Sequence, residues 1–185
     1  MNERPTVRAH REAAAVLREG DLAIDATAGN GHDTVFLASK VGISGRVLAF
    51  DIQPEAIASA RARVEAAGFG ERVIFHEASH ATMGAHAEPA SVSAILFNLG
   101  YLPGGDQAVI TTSGETLAAL DAAAGLLLPG GILSVVCYPG HPGGDAESEA
   151  VIEWAGGLPE DFPVEINRRL DTLRPAPFLV LVKRR

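Results

Sequence analysis

The sequence predicts an α/β fold: a mostly parallel sheet with helices on both faces and an antiparallel finish. Three observations carry this. Short apolar runs alternate with helical patterns from residue 22 to residue 155. The first run ends in a glycine-containing turn that opens directly into a helix. The last two apolar runs, 164–170 and 178–183, are joined by Arg174-Pro175-Ala176-Pro177 with no helical pattern between them, so they are expected to pair antiparallel.

Taken in order, residues 5–19 read as a helix, with Pro5 in the first turn and Gly20 past the end. Residues 22–26 form the first strand and 33–41 the helix after the glycine turn, stopped by Gly42. Residues 46–51 are an apolar run ending in Asp51, as in a buried second strand. Pro54 starts an alanine-rich helix to Ala67, closed by Gly68. Residues 73–75 and 92–97 are the third and fourth strands. Residues 113–127 form a helix that Ser113 can cap, with Glu115 and Asp121 facing outward. Leu128-Pro129-Gly130-Gly131 reads as a turn, 132–138 as the fifth strand, and 147–155 as a helix with Trp154 as a packing residue.

A chain of 185 residues, 47% hydrophobic, suffices for one well-buried domain over 1–185. The lone Cys137 excludes an internal disulfide framework and a cysteine-based zinc cluster. No basic start leads into an apolar core, and no apolar run approaches the ~18 residues of a membrane span, so a soluble cytoplasmic protein is expected. The formal charge of −8 argues against generic nucleic-acid binding, which draws on Lys and Arg. Ten of the 15 basic residues nevertheless lie in the first and last twenty positions. If the ends meet, they could form a local basic surface.

The chemistry is expected at the strand ends. Asp25-Ala26-Thr27-Ala28-Gly29-Asn30-Gly31-His32-Asp33 joins a strand to a helix, the shape of a site for a nucleotide-type ligand. A dinucleotide fingerprint would carry a third glycine where Thr34 stands. Asp25 would repel a pyrophosphate and welcome a cation, which points to S-adenosyl-L-methionine. Asp51 lies about twenty residues past the glycines, where an acid can accept both ribose hydroxyls. Gln53 could border the adenine, and Ser79 and His80 could flank it; Asp33 could instead cap its own helix. The expected cofactor-binding set is thus Asp25, Thr27, Gly29, Asn30, Gly31, His32, Asp33, Asp51, Gln53, Ser79, His80 and Asn98. No metal is expected. After the fourth strand, Asn98 can hold an amine, and Tyr101 offers a face on which a base can stack. Asp106 and His141 are the candidates to take a proton. Asn98, Tyr101, Asp106 and His141 form the expected catalytic set.

These stretches, with Phe50-Asp51-Ile52-Gln53, Phe97-Asn98-Leu99-Gly100-Tyr101-Leu102-Pro103-Gly104-Gly105-Asp106, Leu128-Pro129-Gly130-Gly131 and Tyr138-Pro139-Gly140-His141, resemble one group of small class I methyltransferases. The group was long labelled rRNA methylases. Its characterised members, of the MnmM or YtqB type, methylate the 5-aminomethyl group of the tRNA wobble uridine. The resemblance covers nearly the whole chain. It implies a Rossmann-like, seven-stranded class I methyltransferase fold and methylation of the amine of 5-aminomethyl-(2-thio)uridine at position 34. It also implies the tRNA anticodon region as substrate and no membrane partner, and it admits a homodimer. Thr27 departs from the general pattern, where many enzymes carry a first glycine, and Pro175-Ala176-Pro177 looks like a variant of a Pro-Pro pair. The competing readings are methylation of ribosomal RNA or a small-molecule amine, and a non-catalytic cofactor- or tRNA-binding module. A nicotinamide dehydrogenase is disfavoured by Thr34 and Asp25.

Overall fold

The computed structural model describes residues 3–100, 113–140, 143–168 and 175–185. Among these residues, seven strands form one sheet in the order β3-β2-β1-β4-β5-β7-β6. β1 (Leu22–Asp25), β2 (Arg46–Asp51), β3 (Val73–Glu77), β4 (Val92–Leu99) and β5 (Leu127–Cys137) run parallel. β7 (Phe178–Lys183) runs antiparallel to β5, and β6 (Val164–Asn167) antiparallel to β7. The antiparallel finish read from the sequence is therefore present.

Among the described residues, five helices cover the sheet: α1 (Pro5–Val16), α2 (His32–Val41), α3 (Pro54–Ala66), α4 (Ser113–Leu126) and α5 (Gly144–Gly156). Successive strand residues point to opposite faces, so Ala23 and Ile24 enter different cores. Ala9, Ala13, Leu37, Ala38, Ala60 and Val64 bring α1, α2 and α3 onto one face. Leu120, Ala123, Val151 and Ala155 bring α4 and α5 onto the other, with Phe50, Phe97 and Phe178 from the sheet. Both faces are covered, so the parallel strands are near-continuously apolar. A fully buried Phe or Leu contributes about 1.5–3 kcal/mol.

Most elements end within a few residues of the predicted bounds. Strands β3 and β4 run two residues further, to Glu77 and Leu99, while helix α1 stops earlier, at Val16. Two short 3-10 turns, Gly70–Arg72 and His80–Ala85, carry no apolar period and were not predicted. One expectation is corrected: Leu128-Pro129-Gly130-Gly131 does not reverse the chain but bulges inside β5. The Gly130 N–H donates to the Arg184 carbonyl and the Arg184 N–H to the Gly131 carbonyl, which keeps the bulge in the sheet.

Helix α2 is preceded by Gly31, whose φ of 78° lies in the left-handed region. A Cβ there would come within 2.7 Å of the Ala60 Cα in α3. Gly68 has the same φ of 78°, but its Cβ would meet nothing within 4 Å. Gly68→Ala should therefore cost only backbone strain, ~1–2 kcal/mol. Gly31→Ala should cost roughly 1–3 kcal/mol more through overpacking. Urea unfolding of the two variants side by side measures the difference.

Candidate active site

The order of strands reverses between β1 and β4, so the connections that follow them lead to opposite sides of the sheet and leave a crevice at their carboxyl ends. The turn after β1 is fastened to both neighbours. Toward β2, the Ala28 N–H donates to the Phe50 carbonyl at 2.8 Å and the Gly29 N–H to Asp51 Oδ2 at 2.9 Å. Toward β4, the Ala26 N–H donates to the Leu96 carbonyl at 2.9 Å. The Asn98 N–H donates to Thr27 Oγ1 at 2.7 Å, a bond no glycine could supply at position 27. Asn30 ties the turn to α3, accepting from Ser59 Oγ at 3.1 Å and, at its carbonyl, from Arg63 Nε at 2.6 Å.

Asp25 is fully buried. Its Oδ2 accepts from the Thr34 hydroxyl at 2.5 Å and its Oδ1 from the Thr27 N–H at 3.2 Å. Thr34, which breaks the dinucleotide fingerprint, is thus the partner of the buried acid. Burial pushes the Asp25 carboxyl up to about 7, aided by the charge of Asp33 and opposed by the Thr34 and Thr27 bonds. The sequence suggested direct contact with a cationic ligand. The structure instead places Asp25 behind the wall, where both oxygens face the protein.

The cavity in the crevice measures about 590 Å³. Among the expected residues, Thr27, Gly29, Asn30, His32, Asp33, Asp51, Gln53, Ser79, His80 and Asn98 line it, whereas Gly31 and Asp25 do not. Asp51 Oδ1 accepts from the Gln53 N–H at 3.0 Å, so two backbone donors hold its carboxylate in place in the cavity wall. Ser79 caps the 3-10 turn, accepting from the Ala81 N–H at 3.3 Å. His80 Nδ1 lies 3.2 Å from the Ala26 carbonyl, which can only accept, so that nitrogen carries the proton. Its Nε2 is then a buried acceptor with no partner among the described residues, and burial lowers the ring's pKa. Tyr101, Asp106 and His141 lie outside the described residues.

Four polar residues of the wall were not among the expected site residues: Thr6, His10, Glu115 and Tyr138. Glu115 is exposed, as its helical position suggested, but it stands at the cavity and accepts from Ser79 Oγ at 3.4 Å. His10 comes from α1 and stacks on Phe36, with ring centroids 3.9 Å apart and planes 2° apart. Its Nε2 lies 2.6 Å from Asp33 Oδ1. Asp33 does not cap α2, as was one expectation for it; its other oxygen accepts from Asn98 Nδ2. The Tyr138 hydroxyl lies 3.4 Å from Asn98 Oδ1. Its pKa is raised by burial and by the nearby Asp33.

The profile of the family described as "Putative rRNA methylase" matches residues 47–183. The chain belongs to this rRNA methylase family. It is 43% identical over 166 residues to a protein of Arabidopsis thaliana named tRNA (mnm(5)s(2)U34)-methyltransferase, chloroplastic. That match covers 85% of this chain and 61% of the relative, so the chain spans about three fifths of that protein's length. A family structure from Clostridium thermocellum superposes with a TM-score of 0.96 at 36% identity, covering 100% of both chains. A Streptococcus mutans protein described as "a putative methyltransferase", solved in complex with SAH, does so with a TM-score of 0.91 at 34% identity, again covering 100% of both.

The ends of this rRNA methylase chain do meet, and among the described residues four of their ten basic residues face an acidic partner. Arg8 pairs with Glu165 at 2.5 Å and Lys183 with Glu12 at 3.4 Å. Arg11 bonds Glu3 and Glu12, and Arg168 pairs with Glu149. Cys137 is buried, which pushes its thiol up to about 12 and rules it out as a nucleophile. Among the described residues, no cluster of three or more His, Cys, Asp or Glu could hold a metal ion, and no helix is long and apolar enough to cross a membrane.

The buried acid makes stability depend on pH. The folded pKa of Asp25, about 7, lies above its ordinary 3.8, so between these values the native state holds a proton that the unfolded chain has lost. The resulting stability is complete below the unfolded pKa and disappears as pH rises through the folded one. An uncharged asparagine in place of this acid could accept from the Thr27 N–H at its oxygen and donate from its nitrogen to the Thr34 hydroxyl oxygen. The melting temperature of Asp25→Asn relative to wild type should therefore climb from pH 4 to pH 7 and level off above, as read by thermal scans across that range.

Proposed function

We propose that the chain is an S-adenosyl-L-methionine-dependent tRNA methyltransferase. In this reading one domain over residues 1–185, acting in the cytoplasm, methylates the amine of 5-aminomethyl-(2-thio)uridine at wobble position 34. The carrying observation is the shared cavity into which the glycine turn, the Asp51 carboxylate and the Asn98 amide all open. The activity for which the Arabidopsis relative is named supports the acceptor, and the SAH bound by the Streptococcus protein supports the cofactor.

The residues present fit that cofactor. A cavity of about 590 Å³ is the size of a small-molecule site. Asp51 is braced by the N–H groups of Gly29 and Gln53, which leaves lone pairs for two ribose hydroxyls. His80 Nε2, a buried acceptor in the wall without a partner among the described residues, suits an adenine edge, with Ser79 beside it. Asp33, Asp51 and Glu115 make the lining acidic, which favours a cationic ligand. When bound, the cofactor supplies a methyl on a positively charged sulfur that departs as a neutral thioether.

The chain's own part is placement and proton handling. Holding two reacting groups in line at ~3–3.5 Å can supply most of the rate. Asn98 sits at the carboxyl end of β4 and takes an N–H of the acceptor amine, leaving the nitrogen lone pair free to attack. The amine must arrive neutral, so its ammonium proton leaves first. We assign Tyr101 to stacking on the uridine, and Asp106 or His141 to accepting that proton.

Incubation with labelled S-adenosyl-L-methionine and tRNA bearing 5-aminomethyl-2-thiouridine, followed by nucleoside analysis, should put one methyl on the wobble amine. Label on another nucleoside would overturn the substrate, and no transfer to any RNA would overturn the activity. Asp51→Asn should weaken S-adenosylhomocysteine binding by roughly ten- to a hundredfold, the loss of one charge-assisted hydrogen bond. Unchanged affinity in a calorimetric titration would remove Asp51 from the cofactor contacts.

A further inference from the structure

We propose that His10 is a positioning residue for the methyl acceptor: through Asp33 it fixes the Asn98 side-chain amide with its carbonyl toward the incoming amine. The inference rests on reading the cavity as an amine-methylating site. It adds a residue on α1 that neither the glycine turn nor the β4 loop discloses.

An asparagine amide is nearly symmetric in shape, so packing alone does not distinguish its oxygen from its nitrogen. A charged partner does. Asp33 can only accept, and its Oδ2 faces Asn98 Nδ2. That directs the Asn98 oxygen to the other side, where the Tyr138 hydroxyl is a distant donor at 3.4 Å. The direction matters for chemistry. A neutral amine has N–H groups to donate and one lone pair to attack with. A carbonyl takes an N–H and leaves the lone pair free. The reversed amide would offer its own N–H groups to that lone pair and tie up the electrons that must form the new bond.

Asp33 needs a second donor to stay in this pose, and His10 provides it. The Nε2–H of His10 reaches Asp33 Oδ1 at 2.6 Å, so each carboxylate oxygen is held by a donor of its own. The parallel stack on Phe36 sets the plane of the His10 ring. The Asp33 side chain is only 12% exposed, so water does not easily replace the histidine. Without it, Asp33 keeps one bond and can turn away, and Asn98 loses the partner that tells its two ends apart.

Two substitutions separate the hydrogen bond from the packing. His10→Phe keeps an aromatic ring on Phe36 and removes the N–H, whereas His10→Gln gives back an N–H donor. In methyl transfer to tRNA, His10→Phe should lower kcat by about ten- to a hundredfold, with KM for tRNA and affinity for S-adenosylhomocysteine within about twofold of wild type. His10→Gln should recover most of the loss. In the ligand-free protein, the Asn98 side-chain amide protons should exchange slowly with solvent in wild type and His10→Gln, and quickly in His10→Phe, as followed by NMR. A wild-type kcat for His10→Phe, or equal losses in both variants with equal drops in melting temperature, would overturn the proposal. So would unchanged Asn98 exchange in His10→Phe. If wild type transfers no methyl to tRNA, the proposed function fails, and the exchange experiment still decides whether His10 holds Asn98.

Discussion

The site depends on how the turn after β1 is fastened. A glycine-containing loop free to move would make a poor wall, because a ligand would have to order it on binding. Here four hydrogen bonds hold it between its neighbours: Ala28 and Gly29 bond to the end of β2, and Ala26 and Thr27 to the end of β4. The parallel register makes this reach possible, because Asp25 lies level with Ala49 on one side and Leu96 on the other. Once that turn is set, Asp51 and Asn98 face one space from opposite strands. Preorganisation of this kind spares binding the entropy of ordering the loop.

The fold was legible because its signals are local. Apolar strands, alanine-rich helices and helix-starting prolines repeat along the chain, and the pairing of β6 with β7 followed from the lack of a helix between them. Strand-end positions were legible too: Asp51, Asn98, Ser79 and His80 all line the cavity. The sequence could not show which polar atoms are satisfied by the protein itself. Asp25 has the spacing of a ligand contact, yet Thr34 and Thr27 take both its oxygens. Leu128-Pro129-Gly130-Gly131 has the composition of a turn, yet Arg184 from the far end of the chain pairs with it and keeps it in the sheet.

His10 marks the limit of reading along the chain. Nothing near it in sequence suggests a site, and on α1 it could be any surface histidine. Its importance comes from α1 packing on the same face of the sheet as α2, which brings it to Phe36 and Asp33. Likewise, ten basic residues near the two ends suggested a basic surface, but their value depends on partners that composition does not reveal. Glu165, Glu12, Glu3 and Glu149 stand beside Arg8, Lys183, Arg11 and Arg168. Such exposed pairs contribute little to stability, ~0–1 kcal/mol each, but they reduce the charge that could meet a phosphate.

The contact between Gly31 and Ala60 has a mechanical consequence. A single hydrogen atom in place of a methyl sets the spacing between α2 and α3, and Asn30 links the same turn to Ser59 and Arg63. The turn and α3 are thereby geared together. Any displacement of the turn as a ligand enters or leaves has to carry α3 with it across β2 and β3, so the motion is shared by a whole edge of the molecule rather than by a loop tip.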